Sequence, residues 1–174
     1  ALFLTYSRSA LLMLLVSGVT FLLLINKKKL ILLLIGTLLL FFIIISPLFY
    51  IENTNLLRTA SSEARLETAG NALQIIKDHP LLGVGFNAYR YAQINYNFRD
   101  ANPIFMSHAD AGVDNSFLFV LATTGFVGLI AYLGIWFVVL KKAYFVHKTK
   151  NIVGAVVIAS ILGLFVNALF INSL

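Results

Sequence analysis

The chain has no cysteine. That removes disulfide frameworks, thiol nucleophiles and thiolate metal sites together. Charge is scarce too: 11% of the 174 residues are Asp, Glu, Lys or Arg, against roughly a quarter in soluble domains. The outward-lying histidines and carboxylates show no recurrent ligand spacing such as His-x-x-x-His, so no metal is expected. "GVGFNAY" has glycines but no strand–helix unit around it, which excludes a dinucleotide fingerprint. No internal repeat is present, and neither end reads as a cleavable signal peptide.

Apolar residues fill the space: 60% of the chain is hydrophobic and the mean hydropathy is +0.91. No soluble core of this length needs so much oily surface, so lipid is the expected solvent. Apolar runs cover residues 9–25, 30–51, 116–140 and 152–171. Each approaches the ~20 residues that a bilayer-spanning helix requires. The expected fold is an all-α membrane domain over 1–174, with four transmembrane helices and one long loop, 52–115. It reads as a piece of a larger multi-span bundle.

The charges divide along that pattern. Lys27, Lys28, Lys29, Lys141, Lys142, Lys148 and Lys150 lie between the runs on one side, with no acid among them. The other side carries Arg8, Arg58, Arg65, Lys77, Arg90 and Arg99 together with all seven acids. Positive residues flanking membrane helices collect in the cytoplasm. The lysine turns are therefore inside and the 52–115 loop outside. The net charge of +6 is a topology signal, not a nucleic-acid footprint.

Such a long loop should hold structure of its own. Ser61 or Ser62 can cap a helix whose acids fall early, where the helix dipole favours them. Leu66, Ala69, Leu73 and Ile76 recur at helical spacing. The expectation is an amphipathic helix over 63–77, on the outer membrane surface or across the bundle mouth, ending before His79-Pro80. A glycine turn follows, and 93–114 is expected to be irregular. Ser46-Pro47 should bend the second run near its outer end. In the third run, small residues recur every third place: Ala122, Gly125, Gly128, Ala131, Gly134. They spiral around a helix and suggest several close helix neighbours.

Asp114-Asn115 stands directly against the third run. Either residue can cap the amides that follow. The functional alternative comes from the company on the same side: Arg8 at the mouth of the first run, Arg65 on the loop helix, and His108. Five of the six outer cations are Arg, whereas all seven inner ones are Lys. Topology asks only for positive charge; the planar guanidinium fork matches phosphate oxygens. An outward arginine cluster at membrane level suggests a lipid-linked phosphate or diphosphate, although each Arg alone also reads as a headgroup anchor. His108 is a candidate general base by its ordinary pKa near neutrality, or a solvated loop side chain. His79 reads as a helix-end residue, and His147, among the inner lysines, as chemically idle.

The ordered stretches "YSRSALLML", "EARLETAGNALQIIKDHPLLGVGFNAYR" and "SHADAGVDNSFLFVLATTGFVGLIAYL" resemble the O-antigen ligase and polymerase family of membrane proteins. The resemblance runs from Tyr6 to about Leu140, the ordered set carrying it more than any single stretch. It implies the C-terminal portion of an enzyme of the bacterial cytoplasmic membrane, active on the extracytoplasmic face. The implied partners are an undecaprenyl-diphosphate-linked glycan donor, a glycan or lipid-linked acceptor, and membrane lipids, with no cofactor. Arg8 and Arg65 are then the expected diphosphate ligands. Asp114 or His108 is the expected base, and Arg58, Arg90 and Asn115 are further substrate contacts. The family commonly has a His before the Asn that opens the helix; Asp114 stands there instead. That departure leaves the base open and leans toward polymerase-like members. A lipid-linked glycan transporter or flippase component, or a non-catalytic membrane protein, stays as the alternative.

Overall fold

A computed structural model describes residues 8–51, 59–99 and 112–170. Among them are six helices: α1 (Arg8–Leu24), α2 (Lys28–Ile51), α3 (Thr59–Asp78), α4 (Tyr89–Asn95), α5 (Ser116–Lys148) and α6 (Ile152–Ala168). The described part of each of the four apolar runs is mainly helical. Of the described helices, α5 is long and apolar enough to cross a membrane, and the α1 region and α6 are shorter apolar helices. The chain divides into two compact units, residues 1–62 with 139–167, and residues 63–138 with 168–174.

In the first unit, α1 and α2 form a hairpin. Asn26 adopts a left-handed φ of 58°, and the Asn26 and Lys27 amides bond back to Leu23 and Leu22 at 3.0 and 2.9 Å. This satisfies carbonyls that a helix end leaves orphaned. Gly18 lets the helices approach, because a Cβ there would lie 2.8 Å from Leu34 Cδ2. α2 continues through Ser46-Pro47 to Ile51. α5 and α6 are joined by a similar device. Lys150 takes a φ of 61°, and Asn151 Oδ1 accepts the Val153 amide at 2.9 Å, capping α6. Gly163 lies where a Cβ would come within 3.1 Å of the Met13 carbonyl, so α6 packs closely on α1.

The second unit gathers the rest of α3, α4 and the start of α5 around Ala72, Ile75, Ile76, Tyr89, Ala92, Val113 and Ala122. α3 begins at Thr59, so Ser61 and Ser62 lie inside it and neither is its cap. Its inward face is Ala72, Ile75 and Ile76, while Leu66 and Leu73 are exposed. Of the expected stripe, Ile76 is buried and Ala69 partly so, while Leu66 and Leu73 fall outside the inward face, which Ala72 and Ile75 complete. The helix ends before His79-Pro80 as the sequence indicates, and the short helix α4 reaches residues 93–95 of the stretch expected to be irregular, of which 100–111 lie outside the described residues.

α5 is not one straight rod. Gly125, with φ 66° and ψ −170°, breaks the helix. The rings of Phe117 and Tyr132 stand 6.5 Å apart, edge to face, whereas a straight helix would separate these positions by about 22 Å. The first arm, 116–124, therefore meets the second, 126–148, at a sharp bend. The second arm alone is about 34 Å long, enough to cross the ~30 Å hydrocarbon core.

Candidate functional site

The break in α5 is filled by the chain following α3. Pro80 accepts the Phe126 amide at 2.8 Å and Leu81 accepts that of Val127 at 3.3 Å. In return, the Val84 and Gly85 amides donate to Ala122 and Thr123 at 2.9 and 2.8 Å. The loop thus bonds the first amides of the second arm and the last carbonyls of the first, groups that a broken helix leaves unpaired. Thr124 Oγ1 donates to Val120 at 2.7 Å and Thr123 Oγ1 to Phe119 at 2.8 Å, closing the arm's last turn. A Cβ on Gly83 would lie 2.5 Å from the Thr123 carbonyl carbon, and one on Gly125 would overlap the Leu81 carbonyl. Both positions have positive φ. Glycine is needed at each for two independent reasons, conformation and space.

This junction fixes the start of α5. Asn115 Oδ1 accepts the Leu118 amide at 3.0 Å, capping the helix. Asn115 Nδ2 donates to the Leu169 carbonyl at 3.2 Å, just past the end of α6. Asn115 both caps α5 and holds the chain at Leu169, so its side chain is engaged on both sides. Asp114, one residue earlier, is directed elsewhere: its Oδ2 lies 3.5 Å from Arg65 Nε. Both side chains are accessible, Arg65 at 46% and Asp114 at 57%. An ion pair this exposed contributes at most about 1 kcal/mol to folding, so stability gives little reason for it.

On α4, Tyr89 and Gln93 are buried. The Tyr89 ring meets Phe119 edge to face at 5.7 Å. Burial pushes its phenol up to about 12, with Gln93 and the Arg99 charge acting in the opposite direction. Tyr89 Oη and Gln93 Oε1 have no hydrogen-bond partner among the described residues. The Tyr96 hydroxyl donates to Asp78 Oδ2 at 2.5 Å, pinning the end of α4 to the end of α3 and raising the Tyr96 pKa.

Of the residues singled out in the sequence, Arg65, Asp114 and Asn115 are brought to one place at the head of α5. Arg90 lies in the first turn of α4, partly buried. Arg8 is the first residue of α1. Arg58 and His108 lie outside the described residues. Sequence reasoning missed the Thr123-Thr124-Gly125 break and its partner loop. The available signal was two hydroxyls and a glycine together in an otherwise oily run.

A family model described as O-Antigen ligase matches residues 1–133. No curated protein matches the chain.

Proposed function

This chain belongs to the O-antigen ligase family, and we propose that it is a membrane glycosyltransferase that moves or polymerises a glycan carried on undecaprenyl diphosphate. The family ties it to surface-polysaccharide assembly. The donor, the outward-facing active side and a ligase or polymerase outcome are our reading, with the polymerase favoured by Asp114 at the usual His position. On this reading α1, α2, α5 and α6 cross the bacterial cytoplasmic membrane, with the lysine turns inside.

The observation that carries the proposal is the accessible Arg65–Asp114 pair at 3.5 Å. An incoming diphosphate carries more charge than one carboxylate and matches the guanidinium fork. It displaces Asp114 from Arg65, leaving the carboxylate to accept the proton of an acceptor hydroxyl. The acceptor oxygen bonds to the anomeric carbon, the bond from that carbon to the phosphate oxygen breaks, and undecaprenyl diphosphate departs. Negative charge grows on the leaving diphosphate, where fixed cationic groups stabilise it. A single in-line displacement inverts the anomeric centre. Arg8 is assigned to the same diphosphate, and His108 to the alternative base, on the family resemblance alone.

A transporter also uses broken helices, but their free ends then point at the substrate. In α5 those ends are bonded to the 80–85 loop, which favours the enzyme. The test is glycan transfer from a polyprenyl-diphosphate-linked donor by the full-length protein in vesicles. Arg8→Ala and Arg65→Ala should each abolish transfer while preserving helix content. Wild-type transfer in both would reject the diphosphate role. Loss with Asp114→Ala but not His108→Ala assigns the base to Asp114, and the reverse assigns it to His108.

A further inference from the structure

We infer that the 80–86 loop is a re-entrant membrane element, seated among the acyl chains of the outer leaflet. Three observations combine. First, its side chains suit lipid: Leu81, Leu82 and Phe86 are exposed, Leu82 at 73% and Phe86 at 90%, and no charged residue occurs between Asp78 and Arg90. Second, part of its backbone is already paired by protein. Non-helical backbone is tolerated at membrane depth only where protein satisfies its polar groups. Here the Pro80 and Leu81 carbonyls and the Val84 and Gly85 amides are bonded to α5, the Gly83 amide to His79, and Pro80 has no amide hydrogen to satisfy.

Third, its depth is set by α5. The loop is bonded at Phe126 and Val127, and these two with Ile130 form a contiguous exposed apolar surface on the second arm. From Phe126 to the first inner lysine, Lys141, the arm covers about 22 Å. The hydrocarbon core is about 30 Å thick. With the arm along the bilayer normal and Lys141 at the inner boundary, the loop lies about 8 Å beneath the outer one. The exposed leucines and phenylalanine then continue the lipid-facing surface of α5 and do not project into water.

This inference rests on α5 being a span, and the test separates the two. In the full-length protein, with any other cysteine removed, single-cysteine variants Leu82→Cys, Phe86→Cys, Ile130→Cys and Glu63→Cys are spin-labelled in vesicles of phosphatidylethanolamine and phosphatidylglycerol. Collision with oxygen and with a water-soluble nickel chelate is then measured. Leu82 and Phe86 should match Ile130, with oxygen access high and nickel access low, and Glu63 should show the opposite. High nickel access at Leu82 and Phe86, or access by neither reagent, overturns the inference while a lipid-exposed Ile130 keeps the span. An Ile130 outside lipid overturns both. Because a substitution can disturb the loop, the unsubstituted protein is also photolabelled with a phospholipid carrying a diazirine on its acyl chain. Adducts should map to the peptide containing residues 80–86, and their absence there, with adducts on 126–140, rejects the loop's placement.

Discussion

Asp114 and Asn115 are neighbours with different work, and substitution should separate them. Asn115→Ala removes both the α5 cap and the bond to Leu169 and should cost about 1–2 kcal/mol, read as a lower thermal midpoint in detergent. Asn115→Asp keeps the cap acceptor but loses the donor, and should fall between. Asp114→Ala loses only an exposed ion pair and should change stability by less than about 1 kcal/mol. On the proposed mechanism it nevertheless abolishes or severely slows transfer. Tyr96 offers a pH test. Its bond to Asp78 raises the phenol above the ordinary 10, so the folded state favours the protonated form. The stability this provides is complete below pH 10 and is lost as pH rises through the raised value. Phenolate absorbance should show one tyrosine titrating late for this reason, and Asp78→Asn should return it toward 10.

At the scale of elements, the strongest prediction concerns the break. Gly125→Ala forces a side chain into a left-handed φ and against the Leu81 carbonyl. Backbone strain alone costs about 1–3 kcal/mol, and the overlap adds to it by displacing the loop. Gly83→Ala should behave alike. Gly134→Ala, with nothing within 4 Å of its Cβ, should stay within about 0.5 kcal/mol of wild type. Thermal unfolding of the three variants side by side checks the contrast. The same element shows what the sequence disclosed. Capping at Asn115, the helix stop before Pro80 and the glycine turn were legible because each depends on local chemistry. The bend was not, because it is made by bonds between residues 80–85 and 122–127. The spiral of small residues read as helix neighbours, yet Gly125 is small to admit a loop. The inner face of α3 was placed correctly at Ile76 but not at Leu66 and Leu73, for a related reason. In a membrane protein, apolar periodicity marks protein-facing and lipid-facing surfaces alike, and Leu66 and Leu73 belong to a face that the described residues leave uncovered.

For the whole molecule, orientation rests on the lysines at 27–29 and 141–150. On the proposed topology, replacing them with glutamine should remove the bias that would hold those turns in the cytoplasm. A thiol-reactive, membrane-impermeant label on a cysteine placed at Glu63 then reports the outcome: full labelling of intact cells for the wild-type background, and a fall for the lysine-depleted one. Membership of the O-antigen ligase family was legible in three ordered stretches of sequence, because those stretches combine a charged or polar helix mouth with an oily run. The pairing of Arg65 with Asp114 was expected only as a shared side of the membrane. Contact required α3 to pack along the first arm of α5, with the 80–85 loop tying the end of α3 to the break at Gly125.

That loop also constrains how the protein is made. On the proposed topology, its half of the junction leaves the ribosome well before the half it grips, and it must wait outside the membrane, or at its surface, until the second arm of α5 has been delivered. The arm in turn reaches the lipid with its leading amides unmet. Insertion of this span is therefore not complete when it leaves the translocon, but when an earlier segment folds back to receive it.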